Sequence, residues 1–166
     1  MEEWIEQCRE KCRRIKYIRG PLEWREKPSR SDTLRATSFL LDHNYVTIQG
    51  LKLQAEYSVR KRTGYEVVTY GLFQYIQGEW LRVFFFCLWP KGIRSHRDNK
   101  SGKVYFGPHL HLGDERRDHI ARELRSGIES VLDPQWIVRF RRHTRLNDTD
   151  CGVLEPPVHG DLFGGT

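Results

Sequence analysis

The run LKLQAEYSVR, residues 51 to 60, does most to limit what this chain can fold into. Leu51, Leu53, Ala55, Tyr57 and Val59 alternate with Lys52, Gln54, Glu56, Ser58 and Arg60. Successive side chains on a strand point to opposite faces, so this alternation predicts a β-strand with one buried and one wet face. The neighbouring segments extend the pattern. TSFLL and YVTI flank Asp42-His43-Asn44, which suits a hairpin turn, and KRTG turns the chain into YEVVTYGLFQYI. QGE then turns it into WLRVFFFCLW, apolar on both faces and therefore expected at the centre of a sheet. From about Arg35 to Trp89 the expectation is an antiparallel meander.

The ends of the chain change period. Trp4, Ile5, Cys8, Cys12 and Ile15 recur every three or four residues, predicting an amphipathic helix over residues 2 to 19 that stops at Gly20-Pro21. REKPSRSD, residues 25 to 32, reads as a charged loop, and so does the basic stretch 90 to 103. After a strand at 104 to 112, Gly113 or Asp114 can cap a helix running to about Leu132, with Ile120, Leu124, Ile128 and Val131 as its buried stripe. DPQ breaks that helix, WIVRFRRHTR reads as a last strand, and residues 147 to 166 lack any period and read as a flexible tail. The expected fold is thus a single α+β domain over residues 1 to 146. Its antiparallel meander sheet of about five to seven strands is packed by the N-terminal helix and by a helix after the His-x-His strand.

A length of 166 residues suits one domain with a real core, and five Trp, eight Phe and seven Tyr are expected to fill much of it. Lys and Arg number 28 against 22 acids, a net charge of +6, which favours RNA or another nucleic acid as partner. The longest apolar run, VFFFCLW, is too short for a helix to cross a bilayer, so no membrane partner is expected. MEEWIEQCREKC lacks the apolar region of a secretory leader, and the expectation is a cytoplasmic protein with reduced cysteines. Neither a G-x-S-x-G elbow nor a Gly-rich phosphate loop is present.

The chemistry concentrates in VYFGPHLHLGDERRDH, residues 104 to 119. On a continuous strand Val104, Phe106, Pro108, Leu110 and Leu112 form a core face, and Tyr105, Gly107, His109 and His111 a polar one. The last strand sorts likewise, with Trp136, Val138 and Phe140 opposite Arg139, Arg141, His143 and Arg145. If these strands are neighbours, His109 and His111 can act as acid and base in metal-free cleavage of RNA, while Arg139 and Arg141 hold the phosphate. Arg94, His96, Arg97, Tyr105, Arg142, His143 and Arg145 would extend the nucleic-acid surface. That arrangement requires neither cofactor nor metal. Two other readings of the histidines stand beside it. HLH can be a half-buried strand face with ordinary hydrogen bonds. It can also be half of a metal site, with His119, Glu115 or His96 as a third ligand. From another functional class, the basic, aromatic-rich composition also suits a non-catalytic inhibitor module, such as a phage or mobile-element factor, contacting nucleic acid or a host protein complex.

A meander, a loop, a strand bearing GPHLHLGDE and a following helix resemble the TumE-like toxins of bacterial toxin–antitoxin modules over roughly residues 35 to 132. Members of that family carry a P-H-H-x-H-x-G type motif in a comparable place. Pro108, His109, His111 and Gly113 match it, Leu110 stands where the family has its middle histidine, and His96-Arg97-Asp98-Asn99 is a trace of the family's upstream Y-D-N-A-P-H-H element. The resemblance implies a cytoplasmic RNase-like toxin controlled by an antitoxin partner.

Overall fold

A computed structural model of the protein describes residues 2 to 147 and 154 to 157. In chain order it comprises α1 (Glu2–Arg13), β1 (Lys16–Ile18), β2 (Arg25–Lys27), β3 (Arg30–Leu41), β4 (Thr47–Val59), β5 (Glu66–Ile76) and β6 (Glu79–Leu88). There follow β7 (Arg94–Arg97), β8 (Val104–Phe106), β9 (His109–Gly113), β10 (His119–Glu123), α2 (Gln135–Thr144) and β11 (Leu146–Asn147). The fold is α+β. Strands β3 to β6 form the expected antiparallel meander, β9 and β10 continue it beyond β6, and β1 and β11 extend it beyond β3. With β2 against β3, nine strands of the described residues share one sheet, while β7 and β8 form a separate hairpin. As its two-sided apolarity predicts, β6 lies inside the sheet, between β5 and β9.

Both helices pack on one face of this sheet. Leu53, Tyr70, Leu72, Phe84, Phe86 and Leu110 line that face, and Phe140 and Trp136 of α2 close over it. Each such side chain contributes about 1.5–3 kcal/mol by leaving water. The core does rest on aromatics: the Phe140 ring centroid lies 5.6 to 5.9 Å from those of Tyr70, Phe84 and Phe86. The ends of α1 and α2 are tied by Lys16, fully buried, whose Nζ donates to the carbonyls of Cys12, Arg14 and Thr144. Burial lowers its pKa to about 8. Orphan helix carbonyls thereby find a donor where water cannot reach.

Several local expectations give way to tertiary context: REKPSRSD, expected as a loop, forms β2 and the start of β3, and β7 forms within the expected loop 90 to 103. The N-terminal helix stops at Arg13 rather than residue 19, because Lys16–Ile18 pairs with β3 and β11, leaving Ile15 exposed. No helix spans residues 114 to 132. Gly113 adopts φ 92°, Asp114 N–H donates to the Asp118 carbonyl at 3.1 Å, and the turn carries the chain back as β10 along β9. The unpaired edge of β9 offers a full ladder of hydrogen bonds, whereas a short isolated helix is marginal in water. Conversely, WIVRFRRHTR is mainly helix. Trp136, Phe140 and Thr144, four residues apart, are the buried positions of α2, and Val138, expected on a core face, is exposed. Finally, the strand expected at 104 to 112 is broken at Gly107, φ 61°, so Phe106 faces solvent instead of the core.

Most of the segment expected to be a tail, 148 to 153 and 158 to 166, lies outside the described residues. Within it, Leu154 is 2% exposed and belongs to the main core cluster.

Candidate metal centre

With the helices on one face, among the described residues the other face of the sheet is covered only at its β9 end, where the β7–β8 hairpin lies against it. The alternation of β9 sends Leu110 into the core and His109 and His111 the other way. There they meet His96 of β7 and Tyr105 of β8. Ring centroids are 4.8 Å apart for His96 and His109, 5.2 Å for His96 and His111, and 5.0 Å for His109 and His111. Tyr105 stacks on both His96 and His109, at 5.3 and 5.4 Å. The β9–β10 turn adds Glu115, and β10 adds His119, whose ring lies 5.9 Å from that of His111. One coordinating atom from each of His96, His109 and His111 falls within 4.8 Å of the others, and the same holds for His111, Glu115 and His119.

The hydrogen bonds of these imidazoles decide what they can do. His109 is fully buried, and its Nδ1–H donates to the Gly107 carbonyl at 3.0 Å, so Nε2 carries the lone pair. Ser95 Oγ donates to the Tyr105 carbonyl at 3.0 Å, which leaves its 3.3 Å contact with His96 Nδ1 to be donated by the imidazole and again puts the lone pair on Nε2. Neither Nε2 has a hydrogen-bond partner. Six buried side-chain nitrogens among the described residues lack a partner, and three of them are His96 Nε2, His109 Nε2 and His111 Nδ1. A buried polar atom without a partner costs about 1–3 kcal/mol. Three in one place, with two tautomers set by backbone and second-layer contacts, is the arrangement that metal-binding histidines adopt.

Electrostatics agree with this geometry. Burial lowers the pKa of His109 to about 4 and that of His111 to about 2, with Arg82 and the neighbouring imidazoles adding to the effect, and burial also lowers His96. The cluster is therefore neutral at physiological pH, as lone-pair donation requires. His119 Nε2 lies 3.6 Å from Asp98 Oδ2, both side chains being nearly buried, which gives that ring a carboxylate neighbour. Asp98 is itself anchored by Ser101 Oγ at 2.6 Å and the Lys100 N–H at 2.9 Å. Asp114 holds the turn that presents Glu115. Burial pushes its carboxyl up, but donation from Arg116 and from the backbone of Arg82 and Arg116 outweighs this and brings it down to about 2. The mouth of the site is at His96 and Glu115, whose side chains are 32% and 30% exposed and whose Nε2 and Oε1 atoms are 3.9 Å apart.

The structure separates the residues of the sequence reading into two groups. His96, Tyr105, His109 and His111 come together, and Glu115 and His119, named with His96 as third-ligand candidates, join them. Arg139, Arg141, Arg142, His143 and Arg145 do not. They belong to α2 and its C-terminal end, and α2 packs on the opposite face, where the His143 ring stacks on Phe84 at 5.4 Å. The expected meeting of His109 and His111 with Arg139 and Arg141 is thus corrected. It depended on a last strand next to β9, and those residues form a helix across the sheet. Arg94 and Arg97 point outward from β7. Leu110, at the place of the middle histidine in the TumE-like motif, is 4% exposed in the core, so the third imidazole comes from the hairpin instead. Sequence reasoning missed Arg82, whose Nη2 lies 3.5 Å from Glu115 Oε1 and whose Nε donates to the Gly113 carbonyl at 3.1 Å. An arginine inside an apolar strand, WLRVFFFCLW, was the available signal.

Comparison with family models, with curated proteins and with solved structures finds no match for this chain.

Proposed function

We propose that this protein binds one divalent first-row transition ion through His96, His109 and His111 and uses it for hydrolytic chemistry. The observation that carries the proposal is the set of three buried imidazole nitrogens without partners. An ion with bonds of about 2.1 Å brings tetrahedral donors to about 3.4 Å from one another, so donors already within 4.8 Å need only a small inward adjustment. Imidazole-rich sites with one carboxylate suit Zn2+ among the common ions. Held by the three imidazoles, such an ion would polarise a water, and Glu115, at the exposed mouth, would take its proton. A bound ion would supply activated water for the hydrolysis of an ester or amide, and Glu115 would return the proton to the leaving group. Arg82 stands beside Glu115 to receive developing negative charge.

The test is a Zn2+ titration by calorimetry at neutral pH with the wild-type protein, a His109→Gln, His111→Gln double variant and an Arg139→Gln, Arg141→Gln control. One tight equivalent is expected for the wild type and the arginine control, and none for the histidine variant. Absence of binding to the wild type, or binding unchanged in the histidine variant, refutes the centre.

A second reading, nucleic-acid binding on the helical face, is favoured by the clustering of arginines there. Arg9, Arg13 and Arg122 line one cleft with His143, whose pKa is lowered by burial first and then by Arg122, Arg139 and Arg142. RNA binding that weakens steeply with salt, survives EDTA and falls in an Arg122→Gln, Arg142→Gln variant is the expected outcome. RNA cleavage in EDTA that depends on His109 would instead restore the metal-free acid–base reading.

A further inference from the structure

We infer that the groove on the face of the sheet opposite the helices is the substrate site of this centre, and that it takes an anion carrying a planar ring; the substrate role rests on the metal reading above. The register of the sheet sets Gln54, Gly71, Phe85 and His111 in one row across β4, β5, β6 and β9. With strands about 4.8 Å apart, a ligand lying along this row from Gly71 reaches the histidines within the length of a small molecule. A cleft of about 400 Å³ shares Gln54 and Phe85 with this row and is lined also by Arg82 and Glu115, which connect it to the centre. Glu115 is therefore shared between the cleft and the mouth of the centre.

Two features of the cleft point to its ligand. The first is an apolar floor. Phe73 and Phe85 meet edge to face at 6.1 Å over Gly71, and a Cβ at Gly71 would sit 2.7 Å from both rings. Glycine weakens a strand interior, and its presence here lets two half-buried phenyl rings close over the backbone and present a surface on which a flat ring can stack. The second is charge. Lys27 and Arg35 both pair with the single carboxylate of Glu56, at 3.2 and 2.6 Å, two cations to one carboxylate among the described residues. Arg82, with its guanidinium carbon 5.3 Å from the Phe85 ring centre, lies 3.5 Å from Glu115 at the same end of the cleft and adds a second guanidinium beside that of Arg35. Guanidinium groups match phosphate and carboxylate by paired donation, so either acid satisfies the site.

The test measures binding to Zn2+-loaded protein with two ring anions, adenosine 5′-monophosphate and 1-naphthoate, against their halves: adenosine, ribose 5-phosphate, 1-naphthalenemethanol and acetate. At least one ring anion is expected to bind tenfold or more tightly than either of its halves, and which one does so distinguishes a phosphate from a carboxylate ligand. Phe73→Leu and Arg35→Gln, neither of which touches the centre, should each reduce that affinity about tenfold while leaving Zn2+ affinity unchanged. Ring anions that bind no better than their halves, with Zn2+ bound, overturn the groove. A preference that persists in protein that fails to take up Zn2+ overturns the metal centre and the substrate role together, and leaves the groove as a ligand site.

Discussion

Replacing His111 by leucine in metal-free protein should stabilise the fold. His111 is 1% exposed and its Nδ1 has no partner, so folding removes that nitrogen from water with no hydrogen bond in return. The cost of such a group is about 1–3 kcal/mol, and an apolar side chain of similar size does not carry it. Against this stands the loss of ring contacts with His96, His109 and Phe85, which the dispersion contacts of a leucine of similar volume largely replace. The net expectation is a gain of about 1–2 kcal/mol, or about 2–8 °C in Tm for a chain of this length. Zinc reverses the order. At a free concentration one hundred times the dissociation constant, the ion stabilises the wild type by about 2.7 kcal/mol and the variant by nothing. Urea unfolding followed by tryptophan fluorescence, in EDTA and in Zn2+, reads both conditions. A variant less stable than wild type in EDTA, with the two proteins responding equally to Zn2+, would mean that the histidines make ordinary structural contacts and would refute the reasoning.

Acid should destabilise the metal-free protein from about pH 6.5 downward. The unfolded chain takes up protons at the ordinary histidine value of 6.5, whereas folded His109 does so only near 4 and His111 near 2. In that window the unfolded state binds more protons, so stability falls with pH by about 1.4 kcal/mol per unit for each group; urea midpoints in EDTA that stay flat from pH 7 to 5 would contradict it. Leu154→Ala should cost about 2–5 kcal/mol by leaving a cavity in the core, and a truncation after residue 146 should cost at least as much, whereas unchanged denaturation midpoints would return this segment to a tail. Gly113→Ala should disturb the β9–β10 turn, because φ 92° is unfavourable for alanine and its Cβ would collide with the Asp118 carbonyl. Since that turn carries Glu115 and leads into His119, a loss of stability of about 1–3 kcal/mol together with reduced ligand binding in the groove is expected by calorimetry, and an unaffected variant would exclude strain at this position.

Where side-chain period and backbone pairing act together, the sequence was a good guide. In β4 the residues from Leu51 to Tyr57 alternate, with Ser58 buried and Val59 half-buried at its end, the register of β3 to β6 follows, and β6 is inside the sheet. The parity that sends Leu110 inward and His109 and His111 outward also holds, because β9 is a strand. The misread elements lie where two periods are both present. In WIVRFRRHT, Trp136 and Phe140 fit an i, i+4 spacing as well as a period of two, and burial of Trp136, Phe140 and Thr144 against the sheet selects the helix. In residues 114 to 132 a helical stripe was real on paper, but β9 had an edge to pair and Gly113 could turn the chain back to it.

The amino-acid order alone therefore specifies the alternating meander, the basic and aromatic composition, and the side of β9 from which His109 and His111 project, since each follows from the local geometry of the chain. It could nominate His96, Glu115 and His119 as partners but could not choose among them, because their approach depends on a hairpin folding over the sheet and a turn bending back along its edge. Whether arginines or further histidines meet His109 and His111 was a matter of which face α2 covers. That is decided by long-range burial of Trp136 and Phe140, which puts α2 and its arginines on the far side and leaves three imidazole nitrogens together, shielded from water and without partners.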